Sequence, residues 1–197
     1  MKKDRFLMVC LLCLISIASF GQKIKVVSGN INSLQGISEL KLEYDYSGLG
    51  VGKFEVEADY VDKKVFEKNE DEAGTGDLWK EKWFNDRPIR YEPKFEELLG
   101  DYAPFIKSGK DVEAELTLLV HTTFIEPGYN VGISRKPALI NLELIFLNGD
   151  EELLVMTMIK SPGNGAMGND FDTGYRISEA YAKAGKSLGK YLSGKLN

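Results

Sequence analysis

Hydrophobic and polar residues alternate along much of this chain, and a period of two is typical of strands that bury one face. Residues 38–46 are the clearest case, because leucines and tyrosines occupy every second position and charged residues lie between them. The same alternation predicts a long strand over residues 111–125. Residues 138–147 form an apolar strand, and the Asn-Gly pair at 148–149 predicts a hairpin to a partner strand over residues 151–160.

Other stretches follow helical spacing. Residues 54–69 fit both periods, but the helical set of apolar positions extends further and its surface is rich in lysine and glutamate, so we predict a helix. Glycines after it break the pattern, and Asp77 is predicted to cap a second helix that Pro88 ends. A short third helix is expected to start at Pro93 and to stop at Gly100.

The final predicted helix spans residues 175–196 and has an apolar stripe with alternating steps of four and three. Asp172 or Thr173 is predicted to cap its start, because either side chain accepts hydrogen bonds from free backbone N–H groups. Gly185 and Gly189 lie four residues apart on this helix. Since glycine has no side chain, they are expected to let the helix approach a sheet closely.

The predicted order is strand, two or three helices, three antiparallel strands and one long helix. This order indicates an α+β fold, with a mostly antiparallel sheet, helices packed on one face and a long C-terminal helix. Residues 22–197 are expected to form a single domain. Within that domain, residues 22–37 are either an N-terminal arm or an edge strand.

The composition of the N-terminus differs from that of the rest of the chain. Positive residues at the start, an apolar run over residues 6–17 and small residues up to Gly21 are typical of a secretory signal peptide. We therefore predict a signal peptide over residues 1–21, cleavage before Gln22 and a secreted, periplasmic protein. Both cysteines of the chain lie inside the apolar run, and neither follows the small residue that lipid attachment needs.

Charge argues against one class of partner. The whole chain has a formal net charge of −5, and loss of the signal peptide brings it near −7. An acidic surface repels phosphate backbones, so nucleic acid is not an expected partner. No second apolar run reaches the length of a membrane span, so the trimmed chain is expected to have no transmembrane segment.

Three runs carry a resemblance: residues 38–51 (SELKLEYDYSGLGV), 77–87 (DLWKEKWFNDR) and 123–129 (TFIEPGY). They resemble a family of secreted proteins from Bacteroidota-type bacteria whose function is uncharacterised. The order of elements is also similar to small envelope domains with the anticodon-binding-like α/β fold, found in periplasmic lipoproteins and in the N-terminal domain of the Tol-system propeller protein. The resemblance implies a non-catalytic module that contacts a protein or a ligand. The chain departs from the lipoproteins because it lacks an acylatable cysteine.

Reactive side chains are few. The single histidine, His121, lies on the less apolar face of a predicted strand, and a hydrogen bond to a neighbour explains it more simply than general-base catalysis. With one histidine and no cysteine after trimming, a zinc site is not expected, and we predict no cofactor. Asp170 and Asp172 resemble half of a calcium loop, but further ligands are missing and helix capping is favoured. Glu96 and Glu97 are adjacent and point apart on a helix, which makes a poor acid–base pair.

Aromatic and arginine residues are concentrated in one short region. Trp79 and Trp83 are four residues apart and share a helix face. Aromatic rings beside arginine are typical of protein or sugar contact surfaces, although two tryptophans also suit a helix that packs onto a sheet. The candidate contact patch comprises Trp79, Trp83, Arg87, Arg90 and Tyr91, with Arg135 in a separate loop as a further candidate.

These observations favour a secreted, non-catalytic binding or assembly module at the bacterial envelope, whose partner is another envelope protein or a glycan. Two alternatives stay open: a hydrolase that uses scattered carboxylates on envelope glycans, and a structural protein that forms oligomers. A hydrolase is expected to show a deep cleft in which ionisable groups converge. A binding module is expected to show a shallow aromatic patch or an open sheet face, and an oligomer a large self-complementary surface.

Overall fold

The structure is a computed structural model that describes residues 23–130, 134–163 and 172–197. The predicted signal peptide and Asp170 lie outside the described residues. The strands are β1 (Lys23–Gly29), β2 (Glu39–Asp45), β3 (Gly50–Val51), β4 (Lys107–Gly109), β5 (Leu116–Glu126), β6 (Tyr129–Asn130), β7 (Arg135–Lys136), β8 (Leu139–Asn148) and β9 (Glu151–Pro162). The helices are α1 (Glu57–Asp71), α2 (Thr75–Asp86), α3 (Glu92–Tyr102) and α4 (Thr173–Leu196), with a 3-10 turn at Ile31–Leu34 and a π-helical turn at Arg87–Tyr91.

The main sheet has the strand order β1-β9-β8-β5-β2-β4, and β3 also pairs with β5. This arrangement confirms the α+β class, but the prediction of a mostly antiparallel sheet is wrong because the sheet is mixed. β1, β9, β8 and β5 pair antiparallel, whereas β2 is parallel to both β4 and β5, and β3 is parallel to β5. The connection explains the difference. The chain leaves β2, forms three helices and returns, and a long helical crossover brings a strand back in the same direction.

The β8–β9 hairpin is confirmed, with Asn148 opposite Glu151, so that Gly149 and Asp150 form the turn. Gly149 has a φ of 57°, which glycine adopts at low cost. β5 begins at Leu116 and not at residue 111 as predicted. The preceding residues form a turn after β4 in which the N–H of Val112 donates to the carbonyl of Gly109, 3.3 Å away.

The helices differ from their predictions mainly at their ends. α1 confirms the helical interpretation of residues 54–69, although it begins at Glu57 and ends at Asp71. The predicted cap of α2 is wrong, because the helix begins at Thr75 after Gly74 and Asp77 lies in its first turn. A carboxylate in the first turn still favours the helix, since the N-terminal end of the helix dipole is positive.

Pro88 does not end the helical path as predicted. The chain continues through the π-helical turn, in which the N–H of Glu92 donates to the carbonyl of Arg87, five residues back. A wider turn accommodates the proline ring, which in a regular α-helix clashes with the carbonyl four residues before it. α3 then continues through Gly100 to Tyr102, so the predicted stop at Gly100 is also wrong.

The helices pack on one face of the sheet and bury the core there. Alternate residues of β8 are almost fully buried, whereas the residues between them are half-buried. α4 packs chiefly on α3, and Gly185 and Gly189 allow it. A Cβ on Gly185 would overlap the carbonyl of Phe95, and one on Gly189 would lie 2.8 Å from the Cβ of Tyr102. The close approach is therefore to another helix, and the predicted approach to a sheet is wrong.

The N-terminal segment contributes an edge strand. β1 lies at one end of the sheet order and pairs with β9, with a bulge between Val26 and Ser28. The 3-10 turn that follows places Leu34 in the core, where it is fully buried. Among the described residues, no helix combines the length and the apolar character that crossing a membrane would require.

Candidate functional site

Three aromatic side chains from α1 and α2 form one cluster. Trp79 and Trp83 share a face of α2, as their spacing predicts, and their rings stack with centroids 5.6 Å apart and planes 24° apart. Tyr60 of α1 contacts both, with centroid distances of 5.8 Å to Trp79 and 5.2 Å to Trp83. Trp83 is buried, whereas Trp79 is half-buried. Trp79 therefore presents a surface that is held in place by the rings behind it.

The polar groups of Trp83 and Arg87 bind other residues of the protein. The indole N–H of Trp83 donates to Oε1 of Glu57 at 2.6 Å, and the guanidinium of Arg87 donates to the same oxygen. Arg87 also lies over the ring of Tyr46, 4.1 Å from its centroid. These contacts connect α1, α2, the π-helical turn and the residue that follows β2. They leave Arg87 only partly accessible to a ligand.

Arg90 connects the π-helical turn to the start of α4. Its Nε lies 3.0 Å from Oδ1 of Asp86, and its Nη1 donates to Oδ2 of Asp172 at 2.8 Å. Lys82 lies 3.1 Å from each oxygen of Asp172. Burial acts to raise the pKa of Asp172, but the hydrogen bonds from Arg90 and Lys82 outweigh it and lower that pKa to about 2. Burial raises the pKa of Asp86 despite the opposing charge of Arg90.

The contacts of Asp172 distinguish between its two predicted roles, a helix cap and a calcium ligand. Its carboxylate accepts hydrogen bonds from the backbone N–H groups of Gly174 and Tyr175, so the predicted cap of α4 is confirmed. Both oxygens also face cationic side chains. Asp170, the other residue of the half calcium loop, lies outside the described residues. Over residues 23–130, 134–163 and 172–197, no three His, Cys, Asp or Glu side chains are grouped so that they could hold a metal.

Two members of the predicted contact patch lie elsewhere. Tyr91 is 1% exposed and stacks on Tyr181, with ring centroids 5.2 Å apart and planes 6° apart. Its assignment to a contact surface is wrong, because the π-helical turn rotates it into the core. Arg135 is exposed on β7, the partner of β6 in a separate two-stranded ribbon. There it lies opposite Asn130, the residue after Tyr129.

Trp79 lines two adjoining cavities between α1, α2 and the start of α4. The larger has a volume of about 310 Å³ and the smaller about 220 Å³. Lys68, Trp79 and Thr173 line both. We call this depression the Trp79 groove, and its principal lining residues are Tyr60, Lys64, Lys68, Trp79, Tyr129 and Arg176.

Positive charge dominates the larger cavity. Among the described residues that line it, three are cationic and none is acidic. Lys64 lies 3.0 Å from Glu67, and Arg176 donates to Oγ1 of Thr173 and to the carbonyls of residues 127 and 128. Within the described part of the chain, the amine of Lys68 has neither an ion pair nor a hydrogen bond. Burial raises the pKa of Tyr60 to about 12, so its hydroxyl stays protonated.

Most residues of the groove were not among the predicted contact residues. Tyr60, Lys64 and Lys68 recur at four-residue steps, so they form a stripe along α1, and this spacing was a usable signal. Tyr129 and Arg176 come from distant parts of the chain. No local pattern connects them with Trp79.

A second set of charged and aromatic residues lies between β2 and α3. We call it the Glu92 layer, and it comprises Tyr44, Tyr46, Glu92, Glu96 and Lys110. Glu92 accepts from the amine of Lys110 at 2.6 Å and from the hydroxyl of Tyr46 at 3.4 Å. Glu96 accepts from the hydroxyl of Tyr44 at 3.3 Å, and burial raises its pKa. The sequence places Glu96 next to Glu97, but the helical partner of Glu96 is Glu92, one turn earlier.

None of the described cavities is lined by Glu92 or Glu96. Glu97 faces solvent and pairs with Lys94 at 2.7 Å. The layer therefore brings two carboxylates together without a described space for a substrate.

His121 lies in a row of charged residues across three neighbouring strands. Its Nε2 is 3.0 Å from the carbonyl oxygen of Ser47 and 3.7 Å from Oδ2 of Asp45, and its Nδ1 is 3.5 Å from Oε2 of Glu143. The hydrogen bond from Ser47 is the main reason that the pKa of Asp45 is lowered. No described cavity includes His121. A strand histidine that bonds to its neighbours fits this geometry.

Comparisons of the chain with protein-family models, with curated proteins and with solved structures find no match. The resemblance to secreted Bacteroidota-type proteins and to envelope domains stays a prediction. Functional inference therefore depends on the geometry of the chain itself.

Proposed function

We propose that this protein is a non-catalytic binding module of the bacterial envelope, and that the Trp79 groove is its binding surface. The observation that carries the proposal is Trp79 itself. Its ring is held by Trp83 and Tyr60, and it lines a cavity of about 310 Å³ with cationic side chains around it. Pockets with apolar or aromatic walls and a few placed polar groups are the usual form of ligand sites.

The location of the carboxylates supports binding over hydrolysis. Within the Glu92 layer, Glu92 is engaged by Lys110 and Glu96 by Tyr44. In the groove, Asp86 and Asp172 face Arg90 and Lys82. A carboxylate engaged in this way is poorly suited to attack or to protonate a glycosidic bond.

Of the two partner classes that the sequence favours, the groove supports a glycan over an envelope protein. Protein interfaces of standard size bury about 800 Å² on each partner. The Trp79 groove is a small depression, with a volume at the lower end of the roughly 300–1,000 Å³ that is typical of small-molecule sites. One or two sugar rings match such a space.

The proposal also includes export of the protein across the inner membrane. We propose that the signal peptide is removed before Gln22 and that the groove works outside the inner membrane. Mass spectrometry of the protein from the periplasm should find Gln22, free or cyclised, as the first residue. An intact Met1 on the periplasmic protein would contradict this part of the proposal.

The binding surface can be tested by calorimetric titration with soluble glycans, namely muropeptide monomers and trimers of galacturonic acid and of galactose. We expect at least one of them to bind, and Trp79→Ala to weaken its binding by about tenfold or more, because the stacking surface is lost. Phe66→Ala is the matched control, since Phe66 is an exposed aromatic residue on α1 that does not line the groove.

Two outcomes would contradict the proposal. One is that none of the glycans binds the wild type. The other is that Trp79→Ala and Phe66→Ala bind with the same affinity as the wild type. The chain has two tryptophans and both belong to this cluster, so ligand binding should also change the intrinsic fluorescence.

A further inference from the structure

The charged residues that line the larger cavity beside Trp79 are opposite in sign to the net charge of the protein. The chain has a formal net charge of −5, yet the described lining of the larger cavity has cations only. A local field of one sign in a concave site concentrates ligands of the other sign. The larger cavity of the groove is therefore suited to an anion, although the surface of an acidic protein generally repels one.

The cations of the groove are not equivalent. Lys64 is paired with Glu67 at 3.0 Å, and Lys82, in the smaller cavity, lies 3.1 Å from the carboxylate of Asp172. Lys68 lines both cavities, and its amine has no partner among the described residues. A lysine amine offers three donors, so this side chain can reach a ligand without breaking an existing ion pair.

The wall beside Lys68 is flat and aromatic. The stacked pair of Trp79 and Trp83 keeps the indole plane in one position, and Tyr60 supports it from α1. The C–H face of a pyranose ring packs against such a plane. Binding then orders few side chains, because the platform is already held in place.

We propose that the groove binds an acidic sugar, with the ring packed on Trp79 and its carboxylate paired with Lys68. This inference rests on the proposed function and names the ligand class for the same site. A uronic acid has both features, a pyranose face and a carboxylate at C5 of the same ring. The groove walls are α1, α2, the start of α4 and the segment from Pro127 to Tyr129. An acidic peptide shares the charge of a uronic acid but has no pyranose face to pack on the indole of Trp79, and the experiment includes it as a probe.

The experiment compares two trimers that differ in one group. Calorimetric titration uses α-1,4-linked galacturonic acid and α-1,4-linked galactose, in which a CH₂OH replaces each carboxylate, and a hexaglutamate peptide is the third probe. The wild type is expected to bind the galacturonate trimer about tenfold or more tightly than the galactose trimer. Raising the salt concentration should weaken binding of the galacturonate trimer but not of the galactose trimer, because salt screens the charge pair.

Lys68→Gln is expected to abolish that preference, so that its affinities for the two trimers become equal. Lys63→Gln is the matched control, because Lys63 is on the same helix, pairs with Glu67 and does not line the groove. It should keep the preference. Both variants should fold, because neither position is in the core, and circular dichroism checks this.

Three results would overturn the inference: equal affinity of the wild type for the two trimers, an undiminished preference in Lys68→Gln, or tighter binding of hexaglutamate than of galacturonate. These results are separate from failure of the proposed function. If Trp79→Ala still abolishes binding of the neutral trimer, the binding module stands and only its preference for acid is wrong.

Discussion

The Trp79 groove and the Glu92 layer both combine aromatic rings with charged side chains. They differ in what their polar groups contact. In the layer, Glu92 is bonded to Lys110 and Tyr46, and Glu96 to Tyr44. In the groove, an indole surface and the amine of Lys68 face open space. Composition alone would rank the two regions equally, and only the contacts separate a structural network from a binding surface.

Access to solvent explains why the polar groups are paired in the Glu92 layer and open in the groove. A charge that is buried without a partner destabilises the fold strongly, so a carboxylate under a helix needs a cation and hydroxyl donors around it. A lysine at the mouth of a groove stays hydrated and costs little until a ligand arrives.

The largest effect is expected for Gly185→Ala. Alanine favours a helix over glycine by about 1 kcal/mol, but the added methyl group would overlap the backbone of Phe95 on α3. We expect a net loss of about 1–3 kcal/mol in the free energy of unfolding, measured with urea. Gly194→Ala is the control on the same helix, because nothing lies within 4 Å of the position that its added methyl group would take.

Gly194→Ala should be neutral or stabilising by up to about 1 kcal/mol. Equal stability of the two variants would show that α3 and α4 are not in close contact. The Glu92 layer, which α3 carries, would then lack the rigid support described above.

The next effect is a difference in stability between Tyr181→Phe and Tyr91→Phe, the variants of the two stacked tyrosines. The hydroxyl of Tyr181 lies 2.6 Å from Oγ1 of Thr122, and both residues are fully buried. Tyr181→Phe leaves the threonine hydroxyl without this partner, so we expect a loss of about 1–3 kcal/mol in unfolding free energy. The hydroxyl of Tyr91 has no hydrogen-bond partner among the described residues.

Tyr91→Phe removes the same atom without breaking a bond, so stability should stay equal or rise slightly. Chemical denaturation of the two variants and the wild type makes the comparison. A larger loss for Tyr91→Phe than for Tyr181→Phe would reverse the assignment of polar partners in the core.

The smallest effect is expected at Asp172, where the border of the groove meets α4. Its folded pKa of about 2 lies below the ordinary value of 3.8, so its ion pairs add stability above that ordinary value. This stability is lost as the pH falls through the folded pKa. Asp172→Asn keeps a capping side chain but removes the charge.

We expect Asp172→Asn to be less stable than the wild type by about 0–1 kcal/mol at neutral pH, because the side chain is 36% exposed and solvent screens the pairs. The difference should shrink between pH 4 and pH 2, and also in high salt. Urea denaturation across that pH range measures it. A difference that grows as the pH falls would contradict the ion pairs with Arg90 and Lys82.

Several elements could be predicted because their signals are local. Alternation identified β2, an apolar run identified β8, and the Asn-Gly turn signal identified its partner β9. The helical stripe identified α4 almost to the residue. The sequence did not reveal the direction of β2 relative to β5, since the side-chain pattern of a strand is the same in parallel and antiparallel pairs. It also did not reveal what Gly185 contacts, since a small residue indicates a close approach but not to which element.

The candidate site could be predicted from local sequence patterns only in part. Trp79 and Trp83 were predicted together because four residues on a helix place two rings on one face. Tyr91 was grouped with them because it is close in sequence, but the π-helical turn at Arg87–Tyr91 changes its direction. Tyr129 and Arg176 were missed because their nearness to Trp79 exists only in three dimensions.

Local order follows from the sequence itself in this protein: which segments are strands, which are helices, and where the tryptophans lie on α2. Backbone periodicity and capping act over a few residues, so each segment carries that information. Packing decided the rest. It paired the carboxylates of α3 with Lys110 and two tyrosines, and it left Lys68 beside Trp79 without a partner among the described residues. Whether a charge is satisfied depends on segments far apart in the chain, and folding alone brings them together.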